Sequence, residues 1–136
     1  MKKAIVPILV ASLAVLAVSM ILLYVVVYLM PGVMEEYYND VFRSSSFQTD
    51  WMFYAHPFVL STSLYWFWDR FKEKLTGSWI LKAFEIALVY CVIAMLPVLW
   101  LTFSAINISF AMVITWLGFG ALQAFVAGLV FAKQNP

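Results

Sequence analysis

Charge is what this sequence lacks most. Only 11% of its 136 residues are acidic or basic, against about one-quarter in a soluble domain. The balance is +1, which gives no basic surface for nucleic acid, so that partner is excluded. Histidine and cysteine occur once each, as His56 and Cys91. A lone cysteine closes no intrachain disulfide, and a zinc site wants three or four ligands that this chain does not offer together. No metal and no cofactor are expected. P-loop, GxGxxG, HExxH and GxSxG patterns are missing. No nucleophile, base and acid stand at spacings that define an enzyme, so no residue is assigned as catalytic.

What is present is apolar length. Hydrophobic residues make up 65% of the chain, gathered in runs at about 5–30, 51–67, 79–103 and 108–132. A helix needs about 20 apolar residues to cross a hydrocarbon core. The expectation is an all-α membrane protein of one domain, residues 1–136. It has four transmembrane helices in a compact antiparallel bundle, spanning about 5–30, 51–74, 79–103 and 108–132, with an outer loop at 31–50. Lys2 and Lys3 ahead of an apolar stretch imitate a secretory signal. The run continues through Ile21–Met30, beyond the roughly 7–15 residues of a signal core, and reads as an uncleaved first span.

The short segments between spans set the orientation. Seven of the eight basic residues fall on one side: Lys2, Lys3, Arg70, Lys72, Lys74, Lys82 and Lys133. Arg43 alone stands on the other, among Glu35, Glu36, Asp40 and Asp50. By the positive-inside rule both termini face the cytoplasm, which implies a bacterial inner membrane. Trp66, Trp68 and Trp79 mark the cytoplasmic interface; Trp51, Tyr54 and Trp100 mark the outer one. Trp116 sits deeper, as a packing residue.

Local signals punctuate the spans. Pro31-Gly32 stops the first. Thr49 or Asp50 is the expected N-cap of the second, Ser78 that of the third, and Pro57 and Pro97 predict kinks. In the outer loop Val33, Met34, Tyr37, Tyr38, Val41 and Phe42 recur with helical period, opposite Glu35, Glu36, Asn39, Asp40 and Arg43. This predicts a short amphipathic helix, lying either on the bilayer surface or over the mouth of the bundle as a lid.

Candidate site residues are few. Gly120, Ala124 and Gly128 in the last span, and Ala83, Ala87 and Cys91 in the third, form small-residue stripes suited to close helix packing, within one chain or between copies. Glu85 lies inside an apolar run, where a carboxylate is costly and therefore suggests function. Gln123, Tyr65, Ser63 and Ser12 fall near its depth, which defines a candidate intramembrane polar site. The structural alternative pairs Glu85 with Lys82 one turn earlier. His56 marks a candidate outer-interface site, binding headgroups or loop. Asp69, Arg70, Lys72, Glu73 and Lys74 form a solvated helix end that attracts anionic lipid.

Three functional classes follow. The first is a non-enzymatic accessory subunit or a binder of lipid or another apolar ligand. The second is an oligomeric transporter or channel using Glu85 and Gln123. The third is a membrane-embedded enzyme acting on a lipid or quinone, with His56 as base. The expected partners are membrane lipids, together with further copies of the chain or a larger membrane complex.

Overall fold

The computed structural model describes residues 2–136, without the side chains of residues 2–3 and 47–49. Among the described residues every regular element is helical: α1 (Lys2–Leu29), α2 (Pro31–Glu36), α3 (Phe47–Phe71), α4 (Trp79–Tyr90), a π-helical turn (Cys91–Met95), α5 (Leu96–Ala105) and α6 (Phe110–Gln134). Three stretches are long and apolar enough to cross a membrane: Ala4–Leu29, Trp79–Ala105 and Phe110–Gln134. Four were expected. α3 has the length, but Asp50, His56, Ser61, Thr62, Ser63, Asp69 and Arg70 dilute its apolar character.

Helix ends follow local chemistry. Ser78 caps α4, its hydroxyl accepting the Leu81 N–H at 3.4 Å, and Ser109 caps α6 by accepting the Met112 N–H at 3.1 Å. Both satisfy amides that the first helical turn leaves without partners. The turn before Ser78 passes through Gly77 at φ 92°, a left-handed conformation that side chains disfavour. Pro31 ends α1 and opens α2, its fixed φ suiting a first helical position. α3 starts at Phe47, so neither Thr49 nor Asp50 is its N-cap. Asp50 instead reaches back, accepting the Ser45 hydroxyl at 2.9 Å and the Ser46 N–H at 3.3 Å.

The expected kink at Pro97 is a π turn. Proline offers no N–H to Ile93 four residues earlier. The backbone takes up the mismatch one turn before, where the Leu96 N–H bonds Cys91 C=O, five residues back.

α6 is the hub. It packs on α1, on α3 and most extensively on α4, while α3 lies against α1. Residue pairs give the directions. Gln123 meets Ser19 and Thr115 meets Met30, so α1 runs antiparallel to α6. Gly128 meets Ala83 and Gly120 meets Met95, so α4 does too. Tyr65 meets Phe131 and Trp68 meets Asn135, so α3 runs parallel to it.

Two apolar cores result. One, at the end holding the tail of α6, contains Ala11, Val15, Leu64, Trp68, Ala124 and Phe131. The other, beneath α2, contains Val26, Val33, Leu99, Ile108, Met112 and Val113. Trp68 was expected in an interface belt. It is fully buried, and its Nε1 donates to Asn135 C=O at 2.8 Å. Trp66 and Trp79 do sit at the surface of that end, with Arg70 stacked over Trp66 at 4.7 Å and Lys133 over Trp79 at 4.3 Å.

Candidate functional site

Between the two cores the packing opens into a cavity of about 490 Å³. Every long helix contributes to its wall. α1 supplies Ser19, Leu23 and Val26; α3 supplies Asp50, Phe53, Tyr54 and His56; the third helical stretch supplies Tyr90 and Met95; α6 supplies Thr115, Trp116, Phe119, Gly120 and Gln123. Met34 and Tyr37, in and just after α2, complete it. On α6 the lining runs from Thr115 to Gln123, about 12 Å of helix. α4 packs chiefly on α6, and neither α1 nor α3 makes an extensive contact with it.

Three backbone features shape this space. Gly120 has no side chain where a Cβ would come within 2.7 Å of Met95 Cε, so Met95 can fold against α6. The π turn lies between Tyr90 and Met95. Pro57 supplies no amide to Phe53, whose carbonyl lies on the cavity-lining turn. π turns and proline breaks recur where helices carry function, because they free backbone groups and re-aim side chains.

At the deep end, Gln123 is only 8% exposed. Its Nε2 donates to Ser19 Oγ at 2.8 Å, and Ser19 donates in turn to Val15 C=O at 2.7 Å. Tyr90 is half-buried and His56 is exposed on the cavity wall; among the described residues neither side chain makes a hydrogen bond.

A lid closes the loop end. Glu36 accepts the backbone N–H of Ser109 at 2.9 Å, at the very start of α6. The Ser109 hydroxyl and backbone N–H hold the Glu36 carboxyl below its ordinary value. Trp116 Nε1 donates to the Tyr37 hydroxyl, and Tyr37, Phe42 and Trp116 form one ring cluster with centroids 5.1–6.3 Å apart. Burial pushes the Tyr37 phenol up, and the neighbouring Glu36 charge adds to this. The loop helix thus packs over the helices. It is shorter than its amphipathic pattern: α2 ends at Glu36, and turns with three-residue hydrogen bonds carry the chain on to Phe42. Val33 is buried, whereas Tyr38 is 86% exposed.

The remaining candidates lie elsewhere. Tyr65 and Asp69 accept from Asn135 Nδ2 at 3.1 and 3.3 Å, and Lys72 Nζ donates to Asn135 Oδ1 at 2.7 Å. Ser12 donates to Ile8 C=O, and Ser63, exposed, to Val59 C=O. Glu85 is half-buried, outside the cavity, and among the described residues it makes no hydrogen bond or ion pair, with Lys82 or any other group. Of the polar set only Gln123 reaches the cavity, and its partner is Ser19. Ser19 was not singled out from sequence, although it shares a helix stripe with Ser12 and Val15. The small-residue stripes face each other: Ala83, Ala87, Gly120, Ala124 and Gly128 are buried along α4 and α6, with Cys91 at the margin.

Among the described residues no three His, Cys, Asp or Glu side chains group as metal ligands. Among the described residues the fold is all-helical, with three stretches long and apolar enough to cross a membrane and a largely apolar chamber between the helices. No family, no curated protein and no solved structure matches the chain.

Proposed function

We propose that this protein is a four-span membrane protein with both termini cytoplasmic, and that it binds a small amphipathic molecule of the bilayer in the chamber between its helices. The observation that carries this reading is the cavity itself. Its volume lies within the roughly 300–1,000 Å³ of small-molecule sites, and its lining is mainly apolar and aromatic with a few convergent polar groups. α3 counts as the fourth span because it has the length, it packs on α1 and α6, and several of its polar groups are met locally. Thr62 and Ser63 bond carbonyls of their own helix. The orientation is supported by the basic residues at the end where Arg70 and Lys133 cover Trp66 and Trp79.

The weak packing of α4 against both α1 and α3 suits entry from the bilayer, and the α2 lid closes the aqueous end. The test is photo-crosslinking in lipid nanodiscs with a fatty alcohol bearing a diazirine. Adducts should concentrate on Phe53–His56, Tyr90–Met95 and Thr115–Gln123. Adducts confined to outward residues such as Phe84, Leu101 and Trp100 would overturn the reading.

One observation favours a second reading, a membrane-embedded enzyme: His56 and Asp50 line the same chamber. That reading requires His56→Ala to abolish conversion of the bound molecule while leaving its retention unchanged, as read by mass spectrometry.

A further inference from the structure

Resting on the binding reading above, we infer that the chamber selects a ring-headed amphiphile carrying a hydroxyl donor, of the alkyl phenol or hydroquinone class, and that Gln123 is the residue that reads the donor. The direction of one hydrogen-bond chain carries this. Ser19 commits its hydroxyl proton to Val15 C=O, so towards Gln123 it only accepts. The carboxamide must therefore turn its nitrogen to Ser19 and its oxygen the other way. That oxygen accepts nothing among the described residues. It is not sealed off either, since among the described residues the only fully enclosed polar side-chain atom without a partner is Ser61 Oγ. With Gln123 more than nine-tenths buried and lining the chamber, its carboxamide oxygen presents an open acceptor deep in an apolar space.

An acceptor so placed is satisfied by a donor and penalises a ligand that brings none. A planar ring suits the rest of the wall. Phe53, Tyr54, Tyr90, Trp116 and Phe119 offer faces and edges for ring packing. The alkyl tail leaves beside α4, which packs extensively on neither α1 nor α3. His56, with no hydrogen-bond partner among the described residues, stands on the same wall and accepts or donates to a second ring substituent.

The experiment measures binding in nanodiscs of three probes: a decyl-substituted 1,4-hydroquinone, its dimethyl ether, and decane. The ether keeps the ring and loses both donors. Wild type should bind the hydroquinone about tenfold or more tightly than the ether, the effect of one buried acceptor left unmet. Gln123→Leu should bring the hydroquinone down to the ether. Ser19→Ala frees the carboxamide to turn over, and should shrink the preference to a few-fold. This mild change keeps the test decisive if Gln123→Leu does not fold. Equal affinity for hydroquinone and ether in wild type overturns the donor selection and leaves the apolar-ligand reading intact. Equal affinity for ether and decane overturns the ring preference. Failure of all three probes to bind overturns the donor inference together with the reading beneath it. A preference that survives in Ser19→Ala at full strength removes the Ser19–Gln123 chain as its cause.

Discussion

Gly128 lies so close to Ala83 that a Cβ on the glycine would come within 2.9 Å of the Ala83 Cα and 3.2 Å of its carbonyl oxygen. The neighbour is backbone, which cannot swing aside as a long side chain does. In lipid, helices gain little by hiding apolar surface from one another, and close backbone approach is what holds them. Gly128→Ala is therefore expected to cost about 1–3 kcal/mol, lowering the melting temperature in detergent. Gly118, with nothing within 4 Å of such a Cβ, should accept alanine at no cost. Equal melting temperatures for the two variants would show that α4 and α6 are not held at this contact.

Trp68 and Trp66 are two residues apart and have opposite surroundings. Trp68 is enclosed and bonded to Asn135, whereas Trp66 is exposed beneath Arg70. Trp68→Phe removes a hydrogen bond and part of a well-packed ring, and should cost about 1–2 kcal/mol. Trp66→Phe should stay within about 0.5 kcal/mol, as surface changes usually do. Thermal unfolding of both proteins separates the cases, and a larger loss at Trp66 would reverse the assignment of these rings.

Helix positions were legible because long apolar runs and Pro-Gly punctuation leave few alternatives. α3 was the ambiguous span, since its hydroxyls dilute the run yet largely satisfy themselves on their own helix. Gln123 was legible as a candidate because an amide inside a span is costly, and it lines the chamber. Ser19 was not: a serine that bonds the carbonyl four residues back looks the same from sequence whether or not another side chain adds to it. Asn135 was missed because it follows the last apolar run, although it ties together Tyr65, Asp69 and Lys72. The chamber depends on the rotation of each helix about its axis. Small stripes constrain that rotation on α4 and α6 and leave α3 free.

The lid should respond to acid. Glu36 is held below its ordinary value of 4.5 by Ser109. A carboxyl with a lowered folded pKa stabilises the docked arrangement fully above that ordinary value, and loses the contribution as pH falls through the lowered one. Amide exchange of residues 31–42, corrected for the intrinsic rate, should rise relative to α6 as pH drops below about 4.5. Glu36→Gln should show faster exchange already at neutral pH and little further change in acid. Exchange independent of both pH and Glu36 would mean that the Tyr37–Phe42–Trp116 cluster alone holds the lid.

Orientation can be read with a membrane-impermeant thiol reagent. In a Cys91→Ala background, cysteines at Lys74 and after Lys133 should react only from the cytoplasmic side, and one at Asp40 only from the outside. The asymmetry of seven basic residues against one favours this arrangement. Reaction at Asp40 and Lys74 from the same side would mean that α3 does not cross the bilayer.

Glu85 decides between binding and transport. It stands on α4 two residues from both Ala83 and Ala87, about 200° round the helix from the stripe that packs on α6, half-buried, outside the chamber and without a partner among the described residues. A proton or cation path would need polar groups to continue from it towards Gln123. Between them on these helices stand Ala83, Ile86, Ala87, Ala124 and Ala127, all buried and apolar. Glu85→Gln keeps the side chain's shape and removes its charge. In proteoliposomes, proton and cation flux should be the same for wild type and variant, with no more than a small change in melting temperature, because the long side chain can extend towards the interface. A wild-type flux that Glu85→Gln abolishes would establish a conduction path through the helices and displace ligand binding as the reading of this protein.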